Sequence, residues 1–98
     1  MSVYNIKVTE KAEWEYHSAY LYYEQERVGL GSEFELEIEK SFKLIVQNPL
    51  LFPRKYKQHR EALIRKFPYF IVYEIFKNSV IVHSVFHTSR NPKIKYLK

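Results

Sequence analysis

Cysteine is absent from this chain of 98 residues. Disulfide frameworks and thiolate chemistry, whether nucleophilic or metal-binding, are therefore excluded. Glycine occurs twice and proline four times, too few for a collagenous or low-complexity chain. No apolar run approaches the roughly 18 residues a membrane span needs. Met1 to Lys11 lack a basic start followed by an apolar stretch, so no secretory leader is expected. A Walker loop, a glycine-rich dinucleotide fingerprint, a nucleophile elbow and a catalytic pair of carboxylates are all missing. The expectation is a cytoplasmic protein with no membrane contact and no cofactor.

What is present is apolar, aromatic and unevenly charged. Hydrophobic residues at 46% and aromatics at 17% suffice for one folded domain over residues 1–98 and argue against disorder. Nine Tyr and seven Phe require many rings with buried faces and wet hydroxyls. The net charge of +5 is split along the chain. Residues 1–52 hold five Lys/Arg and nine Asp/Glu, whereas residues 53–98 hold eleven Lys/Arg against Glu61 and Glu74 alone. A basic half of this kind suits a polyanion or an acidic protein as partner; a solvated basic surface is the alternative.

Residues 3–8 alternate apolar and polar, the pattern of a half-buried strand. Thr9 is placed to cap a helix whose apolar stripe is Ala12, Tyr16, Ala19, Tyr20 and Tyr23, ending near Arg27. Trp14, Leu21 and Tyr22 lie off that stripe, forming either a partner-facing surface or a widened core face. Val28 to Gly31 reads as a helix end and tight link, after which Ser32 and Glu35 form a capping box. Phe34, Ile38, Phe42 and Ile45 give the second helix its buried side, and Glu33, Glu35, Glu37 and Glu39 a solvated one. Asn48-Pro49 stops it. A basic loop over 49–59 precedes three β-rich runs, 60–66, 69–76 and 80–87. The order β-α-α-β-β-β predicts an α+β fold, a helical hairpin packed on one face of a small, antiparallel-rich twisted sheet.

Taking Asn78-Ser79 as the hairpin turn and Leu63 as inward-facing, alternation collects Arg60, Glu74, His83 and His87 on one open face. Arg90 and the basic loop adjoin it. A near-neutral His87 beside Arg90 suits proton transfer and stabilisation of phosphate charge; a strand-end His near a surface Arg is the plain alternative. His83 and His87 lack an evident third ligand, so no metal is assigned. Arg54, Lys55, Lys57 and Arg65, interleaved with Phe52, Tyr56 and Phe67, have the mix of phosphate anchors and stacking rings found in RNA binders. Snorkelling over a small core accounts for them equally well. A cross-strand contact between Glu74 and His83 explains one of the two acids in the basic half.

Arg60 and Leu63, then Phe67-Pro68-Tyr69 with Ile71 and Tyr73, then Val85, His87, Arg90 and Pro92 resemble the plasmid-stabilisation toxins of the RelE/ParE superfamily. The resemblance implies the toxin of a bacterial type II toxin–antitoxin system, wrapped by the C-terminal segment of a cognate antitoxin as a hetero-oligomer. On that reading, Trp14, Leu21 and Tyr22 become candidates for the antitoxin surface. The Phe67-Pro68-Tyr69 and His87, Arg90, Pro92 pattern is closer to the ParE branch, which poisons DNA gyrase without hydrolytic residues. The RelE branch cleaves mRNA on the ribosome, and there Arg60, His87 and Arg90, assisted by Tyr96, would be catalytic. Arg54, Lys55, Lys57, Arg65 and Tyr96 would hold the target. No glutamate before Arg60 matches a general base of that branch. A third reading is an inactive relative that serves only as an antitoxin-binding module.

Overall fold

A computed structural model describes residues 4–89 of the chain. The order is β1 (Asn5–Val8), α1 (Glu10–Glu26), α2 (Leu30–Gln47), β2 (Arg54–Tyr56), β3 (His59–Leu63), β4 (Tyr69–Phe76) and β5 (Ser79–His87). The expected α+β architecture is present, with one extra short strand, β2, inside the stretch expected as loop. The five strands lie in the order β1-β5-β4-β3-β2. β1 runs parallel to β5, and every other pair is antiparallel.

Thr9 caps α1 as its position suggests, its hydroxyl accepting the Ala12 N–H at 3.2 Å. The start of α2 departs from expectation. Helix geometry begins at Leu30, so Ser32 lies within the helix and forms no capping box. Glu24, near the end of α1, supplies the cap from across the link. Its carboxylate accepts the Gly29 N–H at 2.9 Å and the Gly31 N–H at 3.0 Å. A negative charge on the free N–H groups of a helix start satisfies donors and dipole together. Gly29 takes φ 91, and a Cβ on Gly31 would come within 2.7 Å of the Tyr20 carbonyl oxygen. The two glycines thus serve a left-handed link and a close crossing of helices.

Phe34, Ile38 and Ile45 of α2 are fully buried against Ile71, Tyr73, Val80, Val82 and Val85 of the sheet. Tyr23, Phe34, Phe67 and Tyr69 form an aromatic cluster with centroids 4.8 Å apart for Tyr23–Phe67, 5.3 Å for Phe34–Phe67 and 5.1 Å for Phe34–Tyr69. Edge-on packing at such distances adds to the area these rings bury. The acidic side of α2 is not wholly solvated. Glu37 is buried, with Lys40 and Lys66 each 3.7 Å from its carboxylate.

The register of the β4–β5 hairpin differs from the one expected. Lys77-Asn78 is the turn, with Lys77 at φ 56, and Phe76 pairs with Ser79. That two-residue offset keeps every side chain on its expected face, because the strand period is two. A bulge then intervenes: Tyr73 pairs with Val82 but Val72 with Ser84, leaving His83 as the extra residue. Beyond it the faces exchange. Val85 joins the helix-side core, while Phe86, opposite Phe70, turns away. In β3 the inward residue is Ala62, 1% exposed, and Leu63 is 60% exposed. Small Ala62 fits opposite Ile71 where a leucine would overfill the layer.

Candidate functional surfaces

Arg60 and His87 do not share an open site with Glu74 and His83. Arg60 pairs with Tyr73 and His87 with Tyr69, so both lie on the helix side, on opposite flanks of β4. Four residues along a strand and two strand spacings put their backbones roughly 16 Å apart. Arg60 is half-buried, and its Nη1 donates to the Phe52 carbonyl at 2.5 Å. Beside it the Tyr73 hydroxyl donates to the Pro49 carbonyl at 2.6 Å. Burial pushes the Tyr73 phenol up to about 12, against a lowering pull from the Arg60 guanidinium. Both side chains thus pin the 49–52 loop to the sheet.

His87 is half-buried at the end of β5, its ring edge-on to Tyr69 with centroids 5.0 Å apart. The Ser89 N–H donates to its Nδ1 at 3.1 Å. The Ser89 hydroxyl lies 2.7 Å from the same nitrogen, so the Nδ1 edge of the ring is engaged by its own chain. Arg90 and Tyr96, the other expected members, lie outside the described residues.

His87 opens into a groove of about 260 Å³ lined also by Trp14, Glu15, Ser18, Tyr22 and Tyr69. On α1, Trp14, Ser18, Leu21 and Tyr22 fall within one helical sector. Trp14 is 69% exposed, Tyr22 56% and Leu21 46%. The off-stripe residues are therefore a connected apolar surface and not extra core. Beneath them Glu15 is buried, its Oε1 accepting the Ser84 hydroxyl at 2.8 Å and the Val85 N–H at 3.0 Å. Lys11 stands 3.8 Å from the other oxygen. Neither this carboxylate nor Glu24 stood out in the sequence, where a glutamate on a helix ordinarily means solvent.

The basic residues divide between two places. Arg54, Lys55 and Lys57 are exposed on β2 and its turn, with the Lys57 ammonium 5.3 Å from the centre of the Tyr56 ring. Arg65 is exposed at the opposite end of β3. The Phe67 and Tyr69 rings that neighbour it in sequence are core and present no open face to Arg65. An exposed cationic edge next to one aromatic ring remains, at β2.

The model of the ParE toxin of the type II toxin–antitoxin system parDE matches residues 6–92. The chain belongs to this family. Among solved structures, the chain is similar to the chromosomal ParDE toxin–antitoxin system from P. aeruginosa, with TM-score 0.79 and 13% identity. That match covers 89% of this chain and 98% of the other. It is also similar to the RelBE2 toxin–antitoxin complex from Mycobacterium tuberculosis, with TM-score 0.65 and 18% identity, over 92% of this chain and 97% of the other. At these identities the likeness is one of fold. No curated protein matches the chain in sequence. In this ParE-family chain, Phe67, Tyr69, Ile71 and Tyr73 of the sequence pattern are core residues. Much of the pattern therefore encodes the fold and not the chemistry.

Proposed function

We propose that this ParE-family toxin arrests growth by binding and poisoning DNA gyrase, and that an antitoxin neutralises it by covering the exposed face of α1. The observation that carries the first part is the separation of Arg60 from His87. A ribonuclease needs its acid, base and phosphate anchor within hydrogen-bond reach of one phosphodiester. Here the guanidinium is bonded to the Phe52 carbonyl, and Nδ1 of the imidazole to Ser89. A toxin that acts by binding needs surfaces instead, and the α1 face and the β2 edge are available. For the antitoxin, the connected Trp14, Leu21 and Tyr22 surface fits an amphipathic segment that folds on binding.

A second reading, ribosome-dependent mRNA cleavage, is favoured by Arg54, Lys55 and Lys57 around Tyr56. Expression of the chain alone in bacteria, with an SOS reporter and genome-wide mapping of mRNA 5′ ends, separates the two. SOS induction without new codon-positioned 5′ ends is expected, unchanged by His87→Ala. New ends on translated messages that disappear in His87→Ala would replace gyrase with the ribosome. Normal growth would leave only an antitoxin-binding module.

A further inference from the structure

His59, Glu74 and His83 come from three adjacent strands, β3, β4 and β5. Extending the β3–β4 register one pair beyond Arg60–Tyr73 sets His59 directly opposite Glu74. Glu74 pairs with Ile81, and the bulge delivers His83 two residues further on, toward the same carboxylate. The result is a convergence that strand spacing does not produce unaided. β3 and β5 are two spacings apart, roughly 9.6 Å, yet the His59 and His83 rings have centroids 5.0 Å apart. Both imidazoles lean over β4. His83 Nε2 lies 2.6 Å from Glu74 Oε1, and one donor atom from each of the three residues lies within 4.8 Å of the others.

We propose that His59, Glu74 and His83 form a binding site for a divalent transition metal on the sheet face turned away from the helices. Two imidazoles and one carboxylate are the donor set that zinc, cobalt and nickel favour, whereas magnesium and calcium select oxygen ligands alone. Metal–donor distances of about 2.0–2.2 Å require the outermost donors to close by roughly an ångström. Side-chain rotation supplies that much on residues held by three paired strands. His59 is buried, so its ring is pre-positioned, while Glu74 and His83 keep 24% and 20% of their side chains exposed, which opens a path and a fourth position to water. As the cation takes Nε2 of His83, the ring proton that faces Glu74 moves to Nδ1, and the carboxylate turns to the metal. The site is independent of His87 and of the α1 groove, and the gyrase reading neither requires it nor depends on it.

The test uses tag-free, chelator-treated full-length protein with zinc, cobalt and nickel chlorides, and magnesium chloride as the control. Titration calorimetry should give one site per chain for the first three and none for magnesium. Saturating zinc should raise Tm by about 5 °C or more. Cobalt should give the intense visible bands of a low-coordinate site, a readout that needs no substitution. His59→Gln and His83→Gln should weaken binding by at least about tenfold, since losing even an outer partner of a metal ligand costs that much. His17→Gln, at an exposed position on α1, should bind as the unmodified chain does. Absence of stoichiometric binding, octahedral aquo-like cobalt spectra, or binding lost only in His17→Gln would each overturn the proposal.

Discussion

The two helices lie side by side and do different work. α2 buries Phe34, Ile38 and Ile45 completely and turns a mixed surface to solvent, Glu33, Glu35 and Glu39 beside Lys40, Lys43, Leu36 and Leu44. α1 buries two alanines and a glutamate, while Trp14, Leu21 and Tyr22 stay outside. Ala12 and Ala19 let α1 approach the sheet closely, Tyr16 and Tyr23 pack at the margin of the core, and the other large apolar side chains lie on the opposite surface. Trp14, Leu21 and Tyr22 together form an exposed apolar patch of the kind that marks an interaction surface. Beside the Tyr16 and Tyr23 packing, α1 is held by polar contacts: Glu15 to β5, Glu24 to the start of α2, and Thr9 at its own start.

The contrast can be pressed by substitution, with unfolding in urea as the readout. Phe34→Ala on α2 removes the ring that meets Tyr23, Phe67 and Tyr69, and should cost about 3–5 kcal/mol. If it costs under about 1 kcal/mol, α2 is not the core helix described. Glu15→Ala strands the buried Val85 N–H and the Ser84 hydroxyl, and should cost about 3 kcal/mol, with Glu15→Gln milder because its amide oxygen still accepts. Glu24→Ala strips the N–H groups of Gly29 and Gly31 of their acceptor and should cost about 1–2 kcal/mol; an unchanged midpoint would mean that water caps α2 equally well. Trp14→Ala and Tyr22→Ala should move stability by no more than about 0.5 kcal/mol. The same two should weaken binding of the cognate antitoxin by about tenfold or more, measured by calorimetry. Full affinity in both would remove α1 from the antitoxin surface.

Much of this fold was legible because its signals are local. Thr9, the i, i+4 spacing of Phe34, Ile38 and Phe42, and Asn48-Pro49 each act within a turn or two of helix. The Glu74–His83 contact was also legible, since the two-residue offset of the hairpin keeps both residues on one face. What escaped depends on partners distant in sequence. Glu24 replaces the Ser32 capping box only once α1 lies against α2. The bulge at His83 leaves no mark in a strand that alternates smoothly, yet it carries His87 from the open face to the α1 groove. Hydrophobicity alone favours Leu63 as the inward residue, but the space opposite Ile71 selects Ala62. His59 passed as a loop residue because β2 and β3 pair across only two residues, Lys57 and Gln58, with a register shift. The open-face cluster of Arg60 with His87 failed for these combined reasons, while the surface nature of Trp14 and Tyr22 was one of the two readings left open.

The most direct measurement mixes the purified chain with gyrase, ATP and supercoiled plasmid, and traps covalent complexes with detergent and protease. Linear DNA should accumulate with increasing toxin, require ATP and active gyrase, and disappear when the antitoxin is added first. His87→Ala should leave the yield unchanged, and Trp14→Ala should make rescue by antitoxin less complete. Fully active gyrase with no linear product at a large excess of toxin would contradict the account.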